Sequence, residues 1–392
     1  MKIGIDCRLW DETGVGRYIR NLVTNLSRID KKNEYVLFAR TQDENSIKSI
    51  VSGPADAKAL AGKQWLVVKA DFPWHSLAEQ ILFPKLLNKE NLDLMHFPYF
   101  SVPIFYNKPF LVTIHDLIVN RFNTGRASTL PLPLYFAKRI GYHAVLSNAI
   151  YRAKKIIVPS NAVRDDLLRT YRNINASKIG VTYEGGFEDK VKSQNSKFKN
   201  ESQNSKIVEG RYILRVGNFY PHKNVEGLFL AFKDFLYDTY ENHDVKLVLV
   251  GKRDYFFKRI EREIEKLNIG SNVIFVENAT DMDLVNLYRN AVATIVLSFM
   301  EGFSLTAVEA MSLGSPVVVS DIPVHREICG NSAIYCNPSN INDIKQKIGF
   351  VCSMVEDSRN ELIAQGKKRA KQFSWEKMAK QTLMIYNSFS NE

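Results

Sequence analysis

The sequence predicts two doubly wound α/β domains that face each other across a cleft, and three observations support this fold class. The chain has 392 residues, which exceeds one domain of about 100–200 residues. Short runs of Val, Ile and Leu alternate with longer helical patterns along the whole chain, as in α/β domains. Most of these runs are continuously apolar, which is typical of parallel strands covered on both faces.

Thirteen such runs predict strands. In the first half they are Lys2–Cys7, Glu34–Ala39, Trp65–Ala70, Leu92–Phe97, Phe110–His115, Lys155–Pro159 and Gly180–Tyr183. In the second half they are Tyr212–Gly217, Lys246–Gly251, Val273–Glu277, Thr294–Ser298, Pro316–Ser320 and Ala333–Cys336.

A polar stretch separates the two halves. Glu188–Glu209 is rich in Lys, Ser, Asn and Gln, a composition typical of a linker or a long surface loop. We therefore expect an N-terminal domain at 1–187, a linker or loop at 188–209 and a C-terminal domain from 210. Ligands of doubly wound sheets bind outside the carboxyl ends of the strands, so functional residues should follow strand ends.

The net charge of +11 is concentrated in one half of the chain. Residues 1–185 hold 26 Lys and Arg against 16 Asp and Glu, whereas the remainder holds 27 against 26. This asymmetry indicates an acidic partner, which would be an anionic membrane surface, a phosphate-bearing acceptor or nucleic acid. A plain solvated basic surface explains it equally well.

Cysteine usage and hydropathy indicate a cytoplasmic protein. The four cysteines form no CxxC pair, which predicts neither a zinc site nor a disulfide framework. The N-terminus has no signal-peptide pattern, and no apolar run approaches the roughly 20 residues of a membrane span. We expect a soluble or peripherally bound protein.

Two candidate sites follow strand ends in the first half. Gly14 and Gly16 precede an amphipathic helix and would let the backbone approach a phosphate. Ile19 stands where a dinucleotide fingerprint has its third glycine, and a tight turn explains the pair equally well. His115, at the end of Phe110–Ile114, could contact a phosphate or a sugar hydroxyl of a ligand, or be a hydrogen-bonded structural histidine.

A third candidate lies in Asn218–Asn224, between a strand and a helix predicted from about Val225. Lys223 in this segment is well placed to neutralise a diphosphate. A solvated surface lysine is the alternative interpretation.

The strongest local pattern follows strand Thr294–Ser298. The turn contains Glu301-Gly-Phe-Ser-Leu305, and a helix is predicted from Thr306 through Glu309. Backbone amides of Gly302–Leu305, at the positive end of that helix, can bind an anion or a sugar hydroxyl. Complementing the helix dipole explains one acidic residue near a helix start. It explains two, Glu301 and Glu309, less well.

Asp281-Met-Asp283 matches a metal-binding DxD pattern. However, Leu284, Leu287 and Tyr288 follow at helical spacing, so Thr280 or Asp281 is expected to cap a helix with Asp283 in its first turn. No other cluster predicts a metal, so we expect none.

Taken together, these residues resemble the GT-B retaining glycosyltransferases of the large, family 4-like group that includes bacterial mannosyltransferases and glucosyltransferases of surface polysaccharides. The matching segments are Ile3–Arg8, Thr13–Tyr18, Val112–Leu117, Val158–Ala162, Val216–Asn224, Leu249–Lys252 and Glu301–Val318. Phe373–Glu376 resembles the start of a helix that crosses back onto the N-terminal domain. The C-terminal domain is accordingly expected at 210–372 and that helix at 373–392.

The resemblance implies a role for each matching residue. Glu301 and the amides of Phe303, Ser304 and Leu305 would bind the transferred sugar, and Glu309 the ribose hydroxyls. Lys223 and the Gly16 backbone would meet the diphosphate, and His115 would reach the donor sugar or its phosphate. The donor would be a GDP- or UDP-sugar, and the family usually works without a bound metal.

Two residues depart from the family pattern. Asn218 stands where many members have arginine, so phosphate neutralisation would rest on Lys223 with His222 or Arg17 as helpers. Glu184 stands where many relatives have asparagine.

The expected function is retaining transfer of a hexose, with mannose favoured, to a saccharide or lipid-linked acceptor. The basic N-terminal half would lie against anionic lipid, with Pro131–Tyr151 (Tyr135, Phe136, Lys138 and Arg139) as a candidate contact helix. A sugar-nucleotide epimerase or hydrolase is the alternative, and no motif supports nucleic-acid binding.

Overall fold

A computed structural model of the chain describes residues 1–52, 64–121, 132–187, 208–239 and 242–389, with side chains from Lys138 onward in the helix that begins at Leu132. The predicted linker at 188–209 lies outside these residues except for its last two. The chain forms two compact units. The first takes its described residues from Met1–Leu117, Ser128–Glu184 and Trp375–Glu392, and the second from Ile118–Ala127 and Gly185–Ser374.

Parallel strands and helices alternate in the first half. The elements are β1 (Lys2–Asp6), α1 (Gly14–Ile29), β2 (Glu34–Ala39), α2 (Glu44–Val51), β3 (Trp65–Lys69), α3 (Leu77–Lys89), β4 (Leu94–Phe97), β5 (Phe110–Thr113), α4 (Ile118–Arg121), α5 (Leu132–Arg152), β6 (Lys155–Val158), α6 (Asn161–Thr170) and β7 (Ile179–Val181).

The same alternation continues in the second half. The elements are β8 (Tyr212–Val216), α7 (Val225–Leu236), β9 (Lys246–Val250), α8 (Phe257–Leu267), β10 (Val273–Val276), α9 (Asp281–Asn290), β11 (Ala293–Val296), α10 (Leu305–Leu313), β12 (Val317–Ser320), α11 (Pro323–Cys329), β13 (Ile334–Cys336), α12 (Ile341–Cys352), α13 (Glu356–Ala370) and α14 (Trp375–Asn387).

Both sheets are parallel and doubly wound. The first has the strand order β3-β2-β1-β4-β5-β6-β7 and the second β10-β9-β8-β11-β12-β13. In the first sheet Ile3 pairs with Tyr35 on one side and with Leu94 on the other. In each sheet the strand order reverses beside its first strand, which is where such folds bind ligands. The predicted α/β fold class is confirmed.

The strand sequences are apolar because both faces of each sheet are covered. In the first unit Ile3, Ile5 and Leu22 are fully buried. In the second, Ile213, Leu247 and Ile295 pack with the aromatic face of α7 into one core cluster. Burying such side chains stabilises a fold by about 1.5–3 kcal/mol each.

The last helix, α14, packs on α1 of the first unit. Trp375, Met378 and Tyr386 are buried there, and the Tyr386 hydroxyl lies 2.6 Å from Nδ1 of His96 on β4. The first unit is therefore completed by residues from the end of the chain.

Candidate active site

The turn after β11 and the start of α10 form the centre of the site. α10 begins at Leu305, one residue earlier than predicted, and Ser304 precedes it in the left-handed conformation with φ of 73°. The Phe303–Leu305 amides therefore lie at the positive end of a nine-residue helix. Ser298 donates a hydrogen bond from Oγ to Oε1 of Glu301 at 2.6 Å, which fixes the carboxylate beside that helix end.

Lys223 and Glu301 form an ion pair between two strand ends. Lys223 lies in the 3-10 turn Pro221–Lys223 between β8 and α7, and its Nζ is 2.6 Å from Oε1 of Glu301. Phe299 N donates to the carbonyl of His222 at 2.8 Å, which ties the two loops together. Burial raises the pKa of Glu301, but the charge of Lys223 and hydrogen bonds from Lys223 and Ser298 outweigh it and lower that pKa to about 2. Glu301 is therefore an anion at neutral pH.

Glu309 lies one turn further along α10 and is buried. Tyr288 of α9 donates a hydrogen bond from its hydroxyl to Oε2 of Glu309 at 3.1 Å. A buried carboxylate costs free energy unless it is hydrogen-bonded, and Tyr288 supplies one of the bonds that hold this one in place.

The charges of Lys223 and Glu301 affect the pKa values of two neighbouring groups, His222 and Arg215. Burial and the charge of Lys223 lower the pKa of His222 to about 4, so its imidazole is neutral at neutral pH. Arg215 of β8 is buried and donates to the carbonyls of Gly217 and Asn218. Burial lowers the pKa of Arg215 to about 10, and the negative charge of Glu301 opposes part of this shift.

Several buried polar atoms around this turn have no hydrogen-bond partner among the described residues. They are Oδ1 of Asn218, Oγ of Ser304 and Nε2 of His325. His325 is buried on α11, and its Nδ1 lies 2.8 Å from the carbonyl of Ser320. Buried polar groups in native proteins are nearly always bonded, so a concentration of unbonded ones indicates a place prepared for a ligand.

Sequence reasoning missed three residues of this site, which are Arg215, Ser298 and His325. Arg215 gives a detectable signal, because it is a charged residue within the apolar strand Tyr212–Val216. Ser298 and His325 give none, since their positions beside Glu301 depend on the three-dimensional arrangement.

The other predicted residues belong to the first unit. Gly16 lies in the first turn of α1, where a Cβ would come within 2.6 Å of the Leu9 and Trp10 carbonyls. This backbone contact accounts for Gly16, so its phosphate role stays a prediction. Among the residues that the structure describes, none has an atom within 4 Å of a Cβ at Gly14.

His115 is held from both sides just beyond β5. Its Nε2 lies 2.9 Å from the carbonyl of Pro98, and its Nδ1 is 3.3 Å from Oε1 of Glu184. The Tyr18 ring of α1 packs edge-on against the imidazole, with 4.9 Å between centroids. The α1 start and the β5 end therefore meet at this histidine.

The Asp281–Asp283 pattern is a helix cap, as predicted. Thr280 Oγ1 accepts from the Asp283 amide at 3.1 Å, and Asp283 Oδ2 accepts from the Thr280 amide at 3.0 Å. Over the described ranges, no group of three or more His, Cys, Asp or Glu side chains is arranged to hold a metal ion.

Two family sequence models match the chain. Glycosyltransferase Family 4 matches residues 13–185, and Glycosyl transferases group 1 matches residues 196–369. The chain belongs to the GT-B glycosyltransferases, as its sequence motifs predicted.

Its relatives include two O-antigen enzymes. It is 28% identical over 293 residues to the O-antigen chain mannosyltransferase RfbU of Salmonella typhimurium, covering 75% of this chain and 72% of that protein. It is 28% identical over 381 residues to O-antigen chain mannosyltransferase B of Escherichia coli, covering 95% and 96%.

Solved structures share the fold. A sucrose-phosphate synthase of Thermosynechococcus elongatus superimposes with a TM-score of 0.73 at 20% identity, covering all of both chains. HepE of Anabaena, solved with UDP and glucose, gives a TM-score of 0.71 at 16% identity, covering 99% of this chain and 100% of that one.

Proposed function

We propose that the protein transfers a hexose, with mannose as the first candidate, from a nucleotide-diphosphate sugar to a saccharide or lipid-linked acceptor in polysaccharide or glycolipid assembly. The observation that carries the proposal is the Lys223–Glu301 ion pair at the positive end of α10. The names of the two O-antigen relatives favour mannose. HepE was solved with UDP and glucose, so both GDP- and UDP-sugars remain candidate donors.

The proposed chemistry follows from the charges at this site. When the donor binds, its diphosphate competes with Glu301 for the Lys223 ammonium. The carboxylate released from the pair can then accept hydrogen bonds from sugar hydroxyls. Lys223, with the Phe303–Leu305 amides, stabilises the charge that develops on the leaving diphosphate. We propose that the acceptor attacks on the same face and the anomeric configuration is retained, and we assign no covalent nucleophile.

A thermal-shift screen with GDP-mannose, UDP-glucose and UDP-galactose tests donor binding, because a ligand that binds only the native state raises its melting temperature. Lys223→Met and Glu301→Gln should abolish the shift produced by the donor and reduce transfer at least about a hundredfold. Lys345→Met is the matched control, since Lys345 forms an exposed ion pair with Asp238 at 3.1 Å in the same unit. Parent-like transfer by both site variants would overturn the assignment.

Product analysis tests the reaction itself. NMR of the newly formed linkage should show the donor's anomeric configuration, and an inverted product would refute retention. Complete donor turnover without acceptor would favour an epimerase or hydrolase instead. We also propose that transfer needs no metal, so an EDTA-treated enzyme should keep its rate.

We propose further that the protein works in the cytoplasm, against the inner face of a membrane. Within the described residues, no helix combines the length and the apolar character that crossing a bilayer requires. Support for a surface contact comes from the excess of Lys and Arg in residues 1–185.

A further inference from the structure

The outer face of α3 carries apolar side chains that the fold leaves uncovered. Leu77 is 80% exposed, and Ile81 and Leu82 are nearly half exposed. The opposite face is ordinary core, since Phe83 and Leu87 are buried. Because Leu77 and Ile81 are four residues apart, they lie one above the other on the helix.

Phe105 extends this apolar surface. It is 63% exposed and lies in the loop between β4 and β5. The amide of its neighbour Ile104 donates to Oε1 of Gln80 on α3 at 2.8 Å. Arg152 of α5 also donates to the Ile104 carbonyl at 2.7 Å. These two bonds hold Phe105 beside α3 and make it part of a fixed surface.

The charges around this surface are positive. Lys85 and Lys89 are exposed on α3, and Lys108 follows Phe105 in the loop. The only acidic residue of α3, Glu79, is fully buried and pairs with Arg8 at 2.8 Å. Glu90 and Asp93 follow α3, and both bond Lys2, at 3.4 and 2.7 Å. Beyond them, residues 94–164 hold nine Lys and Arg against a single acidic residue, Asp116.

We infer that this surface, called the α3 face and composed of Leu77, Ile81, Leu82, Phe105, Lys85 and Lys89, docks on an anionic lipid bilayer. A helix that combines exposed apolar side chains with lysines inserts the former among acyl chains while the latter meet lipid phosphates. The lack of exposed acidic side chains within α3 matches a negatively charged membrane.

The inference rests on the membrane contact of the proposed function and adds α3 to the contact helix predicted at Pro131–Tyr151, which stays a prediction. Tyr135 and Phe136 of the predicted contact helix lie outside the described side chains. Lys138 of α5 adds positive charge near α3, because it acts electrostatically on His75, two residues before Leu77.

Sedimentation with vesicles tests the α3 face. The parent should sediment with vesicles that contain phosphatidylglycerol and not with phosphatidylcholine alone, and salt should weaken the binding. The variant Leu77→Gln/Ile81→Gln/Phe105→Ser should lose at least about tenfold in partitioning. Lys85→Gln/Lys89→Gln should lose about fivefold for each lysine.

The control variant is Tyr255→Ser/Val355→Gln, which removes side chains that are 63% and 67% exposed in the second unit. It should sediment like the parent. Circular dichroism and the donor-induced thermal shift should be unchanged in all variants, which separates lost docking from lost folding.

Equal binding to both vesicle types would overturn the inference, and so would parent-like binding by the apolar variant. If the parent docks through the α3 face but no nucleotide sugar raises its melting temperature, the transferase proposal fails while the docking surface stands. Membrane docking would also be refuted if variants of the α3 face lost binding to a protein partner while their vesicle binding stayed unchanged.

Discussion

Glu184 holds His115 through its Nδ1, at 3.3 Å from Oε1, while the Pro98 carbonyl lies 2.9 Å from Nε2. A carbonyl oxygen only accepts hydrogen bonds, so Nε2 of His115 donates to Pro98 and the Glu184 carboxylate lies against the other ring nitrogen. This chain therefore places a carboxylate against Nδ1 of its histidine.

We expect Glu184→Gln to slow transfer about tenfold with little change in the donor KM, because the variant loses the carboxylate charge that lies 3.3 Å from Nδ1 of His115. Ring ¹⁵N chemical shifts of His115 should differ between the parent and the variant, because the carboxylate against Nδ1 is lost. Glu184→Asp should restore part of the rate. A variant with unchanged ring spectra and an unchanged rate would contradict this positioning role.

Arg215 is expected to supply positive charge that Asn218 cannot. Arg215→Met should raise the donor KM about tenfold, because a cation beside the proposed diphosphate site is lost, and Arg215→Lys should keep most of the affinity. Donor titrations followed by thermal shift check this. Arg211→Met, at the exposed start of the same strand region, is the control. Equal donor affinity in the Arg215→Met variant and the parent would show that Arg215 is purely structural.

Ser304 is expected to store strain. It adopts a left-handed conformation that suits glycine, and its buried hydroxyl has no partner among the described residues. Ser304→Gly should therefore raise the free energy of unfolding by about 0.5–1 kcal/mol, measured by urea denaturation. Ser304→Ala removes the hydroxyl and keeps the strain, so it separates the two contributions. A glycine variant less stable than the parent would contradict the strain.

His96 should make the protein sensitive to acid. Burial and the charge of His115 lower its pKa from the usual 6.5 to about 3. Between pH 3 and pH 6.5 the unfolded chain therefore binds a proton on His96 that the folded chain does not bind. The contribution of His96 to the free energy of unfolding should be fully present above about pH 6.5. It should fall by about 1.4 kcal/mol per pH unit as the pH is lowered toward 3.

Urea denaturation across this pH range measures the slope. His96→Gln should reduce it, and His243→Gln, which replaces an exposed histidine, should not. The same slope in the parent and in His96→Gln would assign the acid sensitivity to other groups.

The sequence predicted where every described strand lies, because continuous apolar runs mark buried parallel strands. The predicted strand ends differ from the observed ones by up to two residues. His115 was included in its strand, whereas the ladder stops at Thr113, since the next residues leave the sheet to form the site. The motif around Glu301 predicted a helix start within one residue.

The partners of individual side chains could not be predicted. Nothing in the sequence relates Glu184 to His115 or Arg215 to Glu301, because these distances depend on how loops of different strands meet. Ser304 was identified only for its backbone amide, since its left-handed conformation is a property of the turn. Gly16 matched a phosphate-binding pattern, but the contact with the Leu9 and Trp10 carbonyls already requires it.

The position of α14 has a consequence for synthesis on the ribosome. Met378 and Tyr386 fill the first unit's core, yet they emerge after the whole second unit has been translated. Until α14 has been synthesised, His96 and the inner face of α1 therefore stay uncovered in the nascent N-terminal half. The second unit is continuous over its main segment and can close first. The second unit should therefore complete its fold before the first, although the first is translated earlier. A stalled or truncated product would expose the incomplete N-terminal core to chaperones and proteases.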